Sequence, residues 1–238
     1  MVEYQALIIT PVKNSLENTL LTVQSIKKSN IQCKYFVYDD FSEPEISKTL
    51  REEAKRLDYT YIHLSTLTNT PSPNYKFVLQ DAQKKALEMG LDLIIVESDV
   101  EVKENTFENL LNFKNNHREV GLVGAITVGY DNQINFPYLK FKGESKEIIP
   151  THRSLSFCCT LLSNAYLKAY DFMQLDNSKD WFDTVISHKA TELGFKNYVL
   201  MNDTVLHKPH GSRPWKQLKY TNPLKYYWLK FTKGRDKI

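Results

Sequence analysis

Short apolar runs rich in β-branched and aromatic residues alternate with longer segments of helical spacing through the first half of this chain. Near-continuous apolar strands are buried on both faces, and the helical segments between them form the crossovers of a parallel sheet. Such crossovers are right-handed, so the pattern predicts a doubly wound α/β domain. The predicted strands are residues 6–12, 34–40, 59–65, 91–99 and 120–128. The predicted helices are residues 15–29, 44–57, 75–89, which Gly90 caps, and 104–116.

The alternation ends after residue 128. Residues 129–160 have the composition of short strands and loops, and residues 180–193 return to helical spacing. Two apolar segments, NYVLMND and TVLHKPH, follow this helix. The second half therefore predicts further strands, whose neighbours in the sheet the pattern does not specify.

The last part of the chain differs in composition from the rest. Residues 214–238 interleave lysines with aromatic residues, whereas no linker-like tract or internal repeat precedes them. We predict one domain over residues 1–213 and a helical extension over residues 214–238. Two interpretations of the extension remain open: it lies on an anionic membrane surface, or it docks on the domain with its lysines in water.

Charge and hydropathy exclude several classes of protein. With 31 basic and 28 acidic residues the formal charge is +3, and no nucleic-acid-binding motif is present, so we expect no nucleic acid partner. No apolar run approaches the ~20 residues of a membrane-spanning helix. The first residues lack a basic segment before their apolar run. We expect a cytoplasmic protein that contacts the inner face of the membrane, if at all, through its surface.

Polar residues follow three of the predicted strands. They are Thr10 to Asn14 after the first strand, the pair Asp39 and Asp40 after the second, and the segment from Glu97 to Asp99 after the fourth. In an open parallel sheet, ligands bind beyond the carboxyl ends of the strands. These ends are therefore expected to form one site, although helix capping and Asx turns also explain acids at such positions.

The spacing of Glu97 and Asp99 indicates a cation. Residues two apart on an extended chain face the same side, and two carboxylates there repel each other unless a positive charge is near. Mg²⁺ or Mn²⁺ takes oxygen ligands and completes its shell with water and substrate phosphates. The strand end therefore predicts a site for a divalent metal and a diphosphate.

The segments LIITPVKNS, FVYDDFSEPE and LIIVESDVEV, in this order and separation, resemble the start of glycosyltransferase family 2. The resemblance covers about residues 4–128 well and 175–212 loosely. It implies a GT-A-like, Rossmann-like fold with a mostly parallel central sheet flanked by helices. It also implies inverting transfer of a sugar from a nucleoside diphosphate sugar to a hydroxyl of a glycan or lipid-linked acceptor.

The resemblance implies roles for particular residues. Asp99 would be the principal metal ligand, and Asp40 would bind the base with support from Asp39. Glu97 stands where the family has an aspartate, and the family's Gly-rich stretch before the third helix is absent. Lys76 in that region either meets the diphosphate or starts a solvated helix. The implied nucleotide-binding residues are Thr10, Pro11, Asn14, Asp39, Asp40, Lys76, Glu97 and Ser98.

A general base is needed to deprotonate the acceptor hydroxyl. In the resembling family an acidic cluster opens a helix that ends in Gly-aromatic, and here Gly194-Phe195 ends the segment that contains Asp180 and Asp183. We favour Asp183 as base with Asp180 as the alternative, although acids are common in a helix's first turn for electrostatic reasons.

Two histidines follow the last apolar segment. His207 comes directly after it and His210 lies in a predicted turn, and similar enzymes carry a metal-binding His at this point. Either histidine is a candidate ligand.

Two other functions remain open. A sugar nucleotidyltransferase would need a Gly- and Arg-rich loop after the first strand, and TPVKNSLENT contains neither residue. A non-catalytic nucleotide-sugar-binding protein is favoured by Glu97 and by the missing Gly-rich stretch.

Overall fold

In a computed structural model of the chain, residues 3–176, 181–208, 218 and 222–232 are described. They form one nine-stranded mixed sheet with helices against it. The strands are β1 (Ala6–Val12), β2 (Cys33–Asp39), β3 (Thr60–His63), β4 (Asp92–Val96), β5 (Val100–Glu101), β6 (Val120–Val128), β7 (Ile148–Thr151), β8 (Cys159–Leu162) and β9 (Lys196–His207). The helices are α1 (Leu16–Lys27), α2 (Pro44–Arg56), α3 (Tyr75–Met89), α4 (Thr106–Asn116), α5 (Asn164–Ala169), α6 (Phe182–Glu192) and α7 (Pro223–Thr232).

The sheet has the order β3-β2-β1-β4-β8-β6-β9-β5, with β7 also paired to β9. The first four strands in this order run parallel, as the alternating pattern predicts. β8 then lies antiparallel between β4 and β6. β9 is parallel to β6 but antiparallel to β5 and β7. The α/β prediction is confirmed, and the sheet is mixed beyond β4.

The period-two alternation of the strands divides the core between the two faces of the sheet. In β1, Leu7 and Ile9 face the layer that contains α3, whereas Ala6 and Ile8 face the layer that contains α1 and α4. Every residue of β4 and of β6 is buried. Strands of this kind need apolar side chains at consecutive positions, which explains why their sequences are almost uniformly apolar.

The predicted fourth strand is shorter than expected. β4 ends at Val96, and Glu97 to Asp99 form a turn in which the Val100 amide donates to the Glu97 carbonyl. The chain then makes the short strand β5. The turn redirects the backbone from β4 toward β9, so Glu97 and Asp99 lie on a turn and not on a straight strand end.

β9 is one strand that contains residues of both apolar segments, NYVLMND and TVLHKPH. Its register with β6 changes between Leu200, which pairs with Ala125, and Thr204, which pairs with Ile126. Residues 201–203 are therefore extra on the β9 side and form a bulge. This bulge lies where the polar residues Asn202 and Asp203 interrupt the apolar pattern.

The extension contains α7, in agreement with the predicted C-terminal helix. The predicted domain boundary between residues 213 and 214 lies outside the described residues and stays a prediction. Among the described helices, none has the length and apolar character to cross a bilayer.

Candidate active site

A cleft of about 420 Å³ opens at the carboxyl ends of β1 and β4, beside the end of β9. Six residues predicted for the site line it: Pro11, Glu97, Ser98, Asp99, Asp183 and His207. Lys13, which lies in the predicted end of the first strand, and Trp181, in the segment of the predicted base, line it as well. Its other lining residues, which the sequence did not predict, are Ser15, Tyr75, Phe136, Pro137, Ser156, Phe157, Cys158 and Phe182.

Strand pairing brings Asp99 and His207 together across more than one hundred residues of sequence. Val100 of β5 pairs with His207 of β9, and the Lys208 amide donates to the Asp99 carbonyl at 3.0 Å. His207 Nε2 lies 3.7 Å from Asp99 Oδ2, and both side chains are largely buried. The pair is therefore held by backbone on both sides.

The hydrogen bonds of His207 define its orientation. Nδ1 lies 2.7 Å from the Phe136 carbonyl, which can only accept, so Nδ1 carries the proton and Nε2 faces the carboxylate. Burial lowers the pKa of His207, but the hydrogen bond and charge of Asp99, with the charge of Glu97 and the Phe136 carbonyl, outweigh it and raise the pKa. An imidazole oriented by a carbonyl behind it is the usual arrangement of a metal-binding histidine.

Glu97 lies next to a thiol whose place in the cleft the sequence analysis did not predict. The Cys158 Sγ donates to Glu97 Oε2 at 3.2 Å, and the Glu97 amide donates to the Cys158 carbonyl at 3.1 Å. Burial and the nearby Asp99 charge raise the pKa of Glu97, partly offset by His207. Burial and the Glu97 charge hold the pKa of Cys158 well above its usual range, so the thiol is protonated at neutral pH.

These groups form a candidate metal site. One donor atom from each of Glu97, Cys158 and His207 lies within 4.8 Å of the other two, and Asp99 adds a second carboxylate beside His207. Two carboxylates and an imidazole suit Mn²⁺ or Mg²⁺, whereas a protonated thiol does not. The raised pKa of Glu97 reflects, after burial itself, repulsion from Asp99 that a cation between them would relieve.

Asp183 faces the same cleft from the first turn of α6. Its Oδ1 accepts from the Thr184 amide at 2.7 Å. Burial, then Glu97, then Asp183 raise the pKa of Tyr75, which lines the same cleft. The Asp183 charge also contributes to the raised pKa of Glu97, so the two carboxylates interact electrostatically within the cleft.

An aromatic group forms one side of the cleft. The Tyr75 ring lies 6.4 Å from that of Phe157 and 6.5 Å from that of Phe182, measured between centroids, and Trp181 lines the cleft beside them. The Tyr75 hydroxyl is buried and has no hydrogen-bond partner among the described residues. These rings give the cleft an apolar surface in addition to its acidic groups.

Five predicted nucleotide-binding residues do not line the cleft: Thr10, Asn14, Asp39, Asp40 and Lys76. Thr10 is fully buried, and its hydroxyl accepts from the Tyr35 hydroxyl at 2.9 Å. Asp39 is also fully buried and accepts from the Ser42 amide at 3.0 Å and the Tyr61 hydroxyl at 2.7 Å. Burial raises the pKa of Asp39, but hydrogen bonds from Ser42, Ser47 and Tyr61 outweigh it and lower the pKa.

Asp40 holds the segment before α3. Its carboxylate accepts from the Ser72 hydroxyl at 2.7 Å, from the Asn74 amide at 2.8 Å and from the Asn74 side chain at 2.8 Å. A carboxylate has about four lone-pair positions, so about one remains for a ligand. The segment thus takes a defined shape without the glycines that the resembling family uses there.

Asn14 and Lys76 also lie outside the residues that line the cleft. Asn14 has a φ of 51°, and its side chain accepts from the Glu43 amide at 2.8 Å, which ties the end of β1 to the start of α2. Lys76 is partly buried in the first turn of α3. Asp180 and His210, the alternative base and the alternative metal ligand, lie outside the described residues.

The unpredicted residues reach the cleft through tertiary structure. Cys158 and Phe157 come from the loop before β8, whose insertion beside β4 has no local signal. Phe136 and Pro137 come from the irregular segment after β6. Tyr75 stands in the stretch PSPNYKF, which replaces the resembling family's Gly-rich stretch before the third helix, and this was the one available indication of its place.

Comparisons with known proteins identify the family of the chain and its fold. The model of the family described as Glycosyl transferase family 2 matches residues 7–170. Curated protein sequences give no match. Among solved structures, S. aureus TarS 1–349 has a TM-score of 0.67 at 18% identity, over 90% of this chain and 62% of that one.

Two further structures share the fold. The mannosyltransferase PcManGT from Pyrobaculum calidifontis, in complex with GDP-Man and Mn²⁺, has a TM-score of 0.64 at 14% identity, over 100% of this chain and 66% of that one. GalNAc-T7 with UDP, GalNAc and Mn²⁺ has a TM-score of 0.62 at 15% identity, over 96% and 48%. This chain thus spans between about half and two thirds of the length of these three structures. The likeness confirms the predicted GT-A-like fold, and the family match over residues 7–170 shows that the chain belongs to glycosyl transferase family 2.

Proposed function

We propose that this protein transfers a sugar from a nucleoside diphosphate sugar to an acceptor hydroxyl, with the assistance of Mn²⁺ or Mg²⁺. The observation that carries the proposal is the meeting of Asp99, His207, Glu97 and Asp183 in one cleft at the carboxyl ends of the parallel strands. Ligand sites of open α/β sheets lie at this edge. TarS solved with UDP, and PcManGT and GalNAc-T7 solved with Mn²⁺ and nucleotides, support the same ligand class.

The metal would be held by Asp99 and His207, with Glu97 as a further ligand or as the acceptor of a metal-bound water. Its charge would stabilise the diphosphate leaving group as the bond to the sugar breaks. Asp99 and His207 are suited to this role because backbone pairing between β5 and β9 fixes both before a ligand arrives. A site assembled in advance loses little free energy to reorganisation on binding.

The nucleotide would lie between Pro11 and the segment that Asp40 holds. The remaining acceptor position of Asp40 suits a donor on the base, and Asp39 supports Asp40 from beneath through the turn at Ser42. Lys76, in the first turn of α3, is the candidate contact for the diphosphate. Thr10, Asn14 and Ser98 contribute through the shape of the backbone at the two strand ends.

Asp183 would act as the general base. It lines the same cleft as Asp99 but comes from α6, whereas Asp99 comes from the turn after β4, and the sugar would lie between the leaving group and the attacking hydroxyl. Attack from the base side inverts the configuration at the anomeric carbon. The aromatic side chains Tyr75, Phe157 and Trp181 would cover the apolar face of the sugar or of the acceptor. The acceptor is proposed to be a hydroxyl of a glycan or of a lipid-linked glycan.

A thermal-shift screen of nucleoside diphosphates with and without Mn²⁺ tests the proposal. Saturation with the right diphosphate is expected to raise the unfolding midpoint by about 5 °C or more in the presence of metal. In the Asp99→Asn protein this stabilisation should be lost, while Glu108→Gln, which removes an exposed carboxylate on α4, should retain it.

Hydrolysis of the matching sugar nucleotide in the absence of acceptor then separates an enzyme from a binding protein. Metal-dependent release of sugar that Asp183→Asn abolishes supports the proposal. Stabilisation by a nucleoside diphosphate without any release would favour the non-catalytic alternative. No response to any diphosphate would refute the nucleotide site itself.

A further inference from the structure

The last described helix, α7, presents an apolar face to solvent. Leu224 is 85% exposed, Trp228 is 62% exposed and Phe231 is 93% exposed. These residues are spaced by four and by three, so they lie on one face of the helix, and Tyr227, 55% exposed, extends the same face. Single exposed apolar residues are common, but a continuous row of them indicates a binding surface.

The opposite face of α7 is covered. Tyr226 is only 4% exposed, whereas both of its neighbours in sequence are exposed. The helix is therefore buried on the side of Tyr226, and the row of Leu224, Tyr227, Trp228 and Phe231 is turned outward. We call this row the outer face of α7.

Basic residues flank the outer face on both sides. At about 100° per residue, Lys225 lies roughly 60° beyond Trp228, and Lys230 lies roughly 60° beyond Tyr227 in the other direction. The helix contains no acidic residue. Residues 214–238 hold six lysines and one arginine against one aspartate. The apolar row is thus bordered by positive charge, within a segment whose charge is also strongly positive.

We infer that the outer face of α7 docks on the surface of an anionic lipid bilayer. Aromatic and aliphatic side chains would enter the boundary between headgroups and acyl chains, and Lys225 and Lys230 would reach the lipid phosphates on either side. A helix of 10 residues is about 15 Å long, so it lies in the plane of the bilayer and does not cross it.

The chemistry of the face favours a bilayer over a protein groove. A protein groove complements a helix on its apolar row and pairs selected charges, whereas a bilayer offers anionic groups along both borders of the row. The two lysines here border the row on both sides, and no carboxylate of the helix would meet the lipid phosphates. This inference does not depend on the proposed transfer reaction, although it would bring that reaction to acceptors carried on lipid.

Sedimentation with vesicles tests the inference on the full chain. We expect the protein to pellet with vesicles of phosphatidylcholine and phosphatidylglycerol, to pellet much less with phosphatidylcholine alone, and to be released by high salt. Trp228→Ser with Phe231→Ser should reduce partitioning by roughly tenfold for each side chain. Lys225→Ser with Lys230→Ser should reduce it by roughly fivefold for each lysine.

The matched control is Tyr130→Ser with Met173→Ser, which removes an aromatic and an aliphatic side chain that are 71% and 68% exposed elsewhere on the surface. Equal loss of vesicle binding in this control, or unchanged binding in the Trp228 and Phe231 variant, would overturn the inference. So would the absence of binding to anionic vesicles.

A second copy of the chain is the competing occupant. Self-association without lipid that disappears in the Trp228 and Phe231 variant would assign the face to a protein contact instead of a bilayer. Stabilisation by a nucleoside diphosphate with Mn²⁺, measured without vesicles, should be the same in all these variants. If neither the parent nor any of these variants is stabilised by a nucleoside diphosphate with Mn²⁺, the proposed function is contradicted, whereas the vesicle result still stands.

Discussion

Asp203→Asn is expected to stabilise the protein above pH 6. Asp203 lies in the bulge of β9 and is 5% exposed. Burial raises its pKa to about 6 from 3.8, despite hydrogen bonds from Asn109 and Thr106 and the charge of Lys103. A carboxyl whose pKa is raised by folding binds its proton more tightly in the folded state than in the unfolded state. Its ionisation therefore destabilises the folded state.

The free-energy cost of ionising Asp203, and its dependence on pH, follow from the pKa values of the carboxyl in the folded and unfolded states. A difference of about 2 units corresponds to about 3 kcal/mol at 1.36 kcal/mol per unit, an upper estimate for one group. This cost is absent below the unfolded pKa near 4, grows as the pH rises from about 4 to about 6, and is constant above. Asparagine has no such ionisation, so the variant should gain up to about 3 kcal/mol relative to the parent between pH 4 and pH 8.

Urea unfolding of both proteins at several pH values measures this gain directly. Both proteins share all other titrating groups, so the contributions of those groups cancel when the unfolding free energy of one protein is subtracted from that of the other. Glu108→Gln is the control, because it removes an exposed carboxylate, and its effect should stay within about 0.5 kcal/mol at every pH. A difference for Asp203→Asn that is the same at pH 4 and pH 8 would refute the assignment of the cost to this carboxylate.

Three further predictions concern the site and its support. Asp99→Asn should lower sugar-nucleotide turnover by roughly a hundredfold or more, because it removes the proposed principal metal ligand, while circular dichroism stays unchanged. Gly124→Ala should destabilise the fold by about 1–3 kcal/mol in urea unfolding, because the new Cβ would lie 2.9 Å from Tyr138 Oη and 3.0 Å from Thr160 Oγ1. Asp39→Asn should lower the free energy of unfolding by about 1–3 kcal/mol at pH 7. Because folding lowers the pKa of Asp39, this loss should shrink as the pH falls toward 3. Urea unfolding that gives the same loss at pH 7 and at pH 3 would contradict the prediction.

The first half of the fold follows from local patterns. The predicted strands at residues 6–12 and 120–128 and the predicted helix at residues 75–89 have the observed bounds. Their apolar runs are long, and Gly90, with φ of 70°, ends the helix as its position indicates. These elements are specified by burial on both faces or by a clear cap, which are properties of the segment itself.

The second half depends on pairing between distant segments. β8 has only four residues, and its place between β4 and β6 is decided by contacts with strands from elsewhere in the sequence. The union of NYVLMND and TVLHKPH into β9 likewise depends on the partner β6. No periodicity within either segment records these partners.

The same distinction applies to the site. Glu97, Asp99 and His207 could be predicted because each follows an apolar run, and strand ends meet at one edge. Cys158 could not, because its approach to Glu97 follows from the antiparallel insertion of β8. The burial of Asp39 could not be predicted either, because the amide of Ser42 and the hydroxyl of Tyr61 that bond its carboxylate reach it through tertiary structure.

The bulge at residues 201–203 restarts the alternation of side chains along β9. Leu200 and Val205 are five residues apart and would face opposite sides of a regular strand, yet both lie in the core layer that contains α1 and α4. The face that His207 occupies is therefore set by the strand pairs that follow the bulge, with β6 and with β5, and not by the count of residues from Leu200. Insertions and deletions within the bulge are consequently compatible with an unchanged imidazole, provided that the pairs after Thr204 are kept.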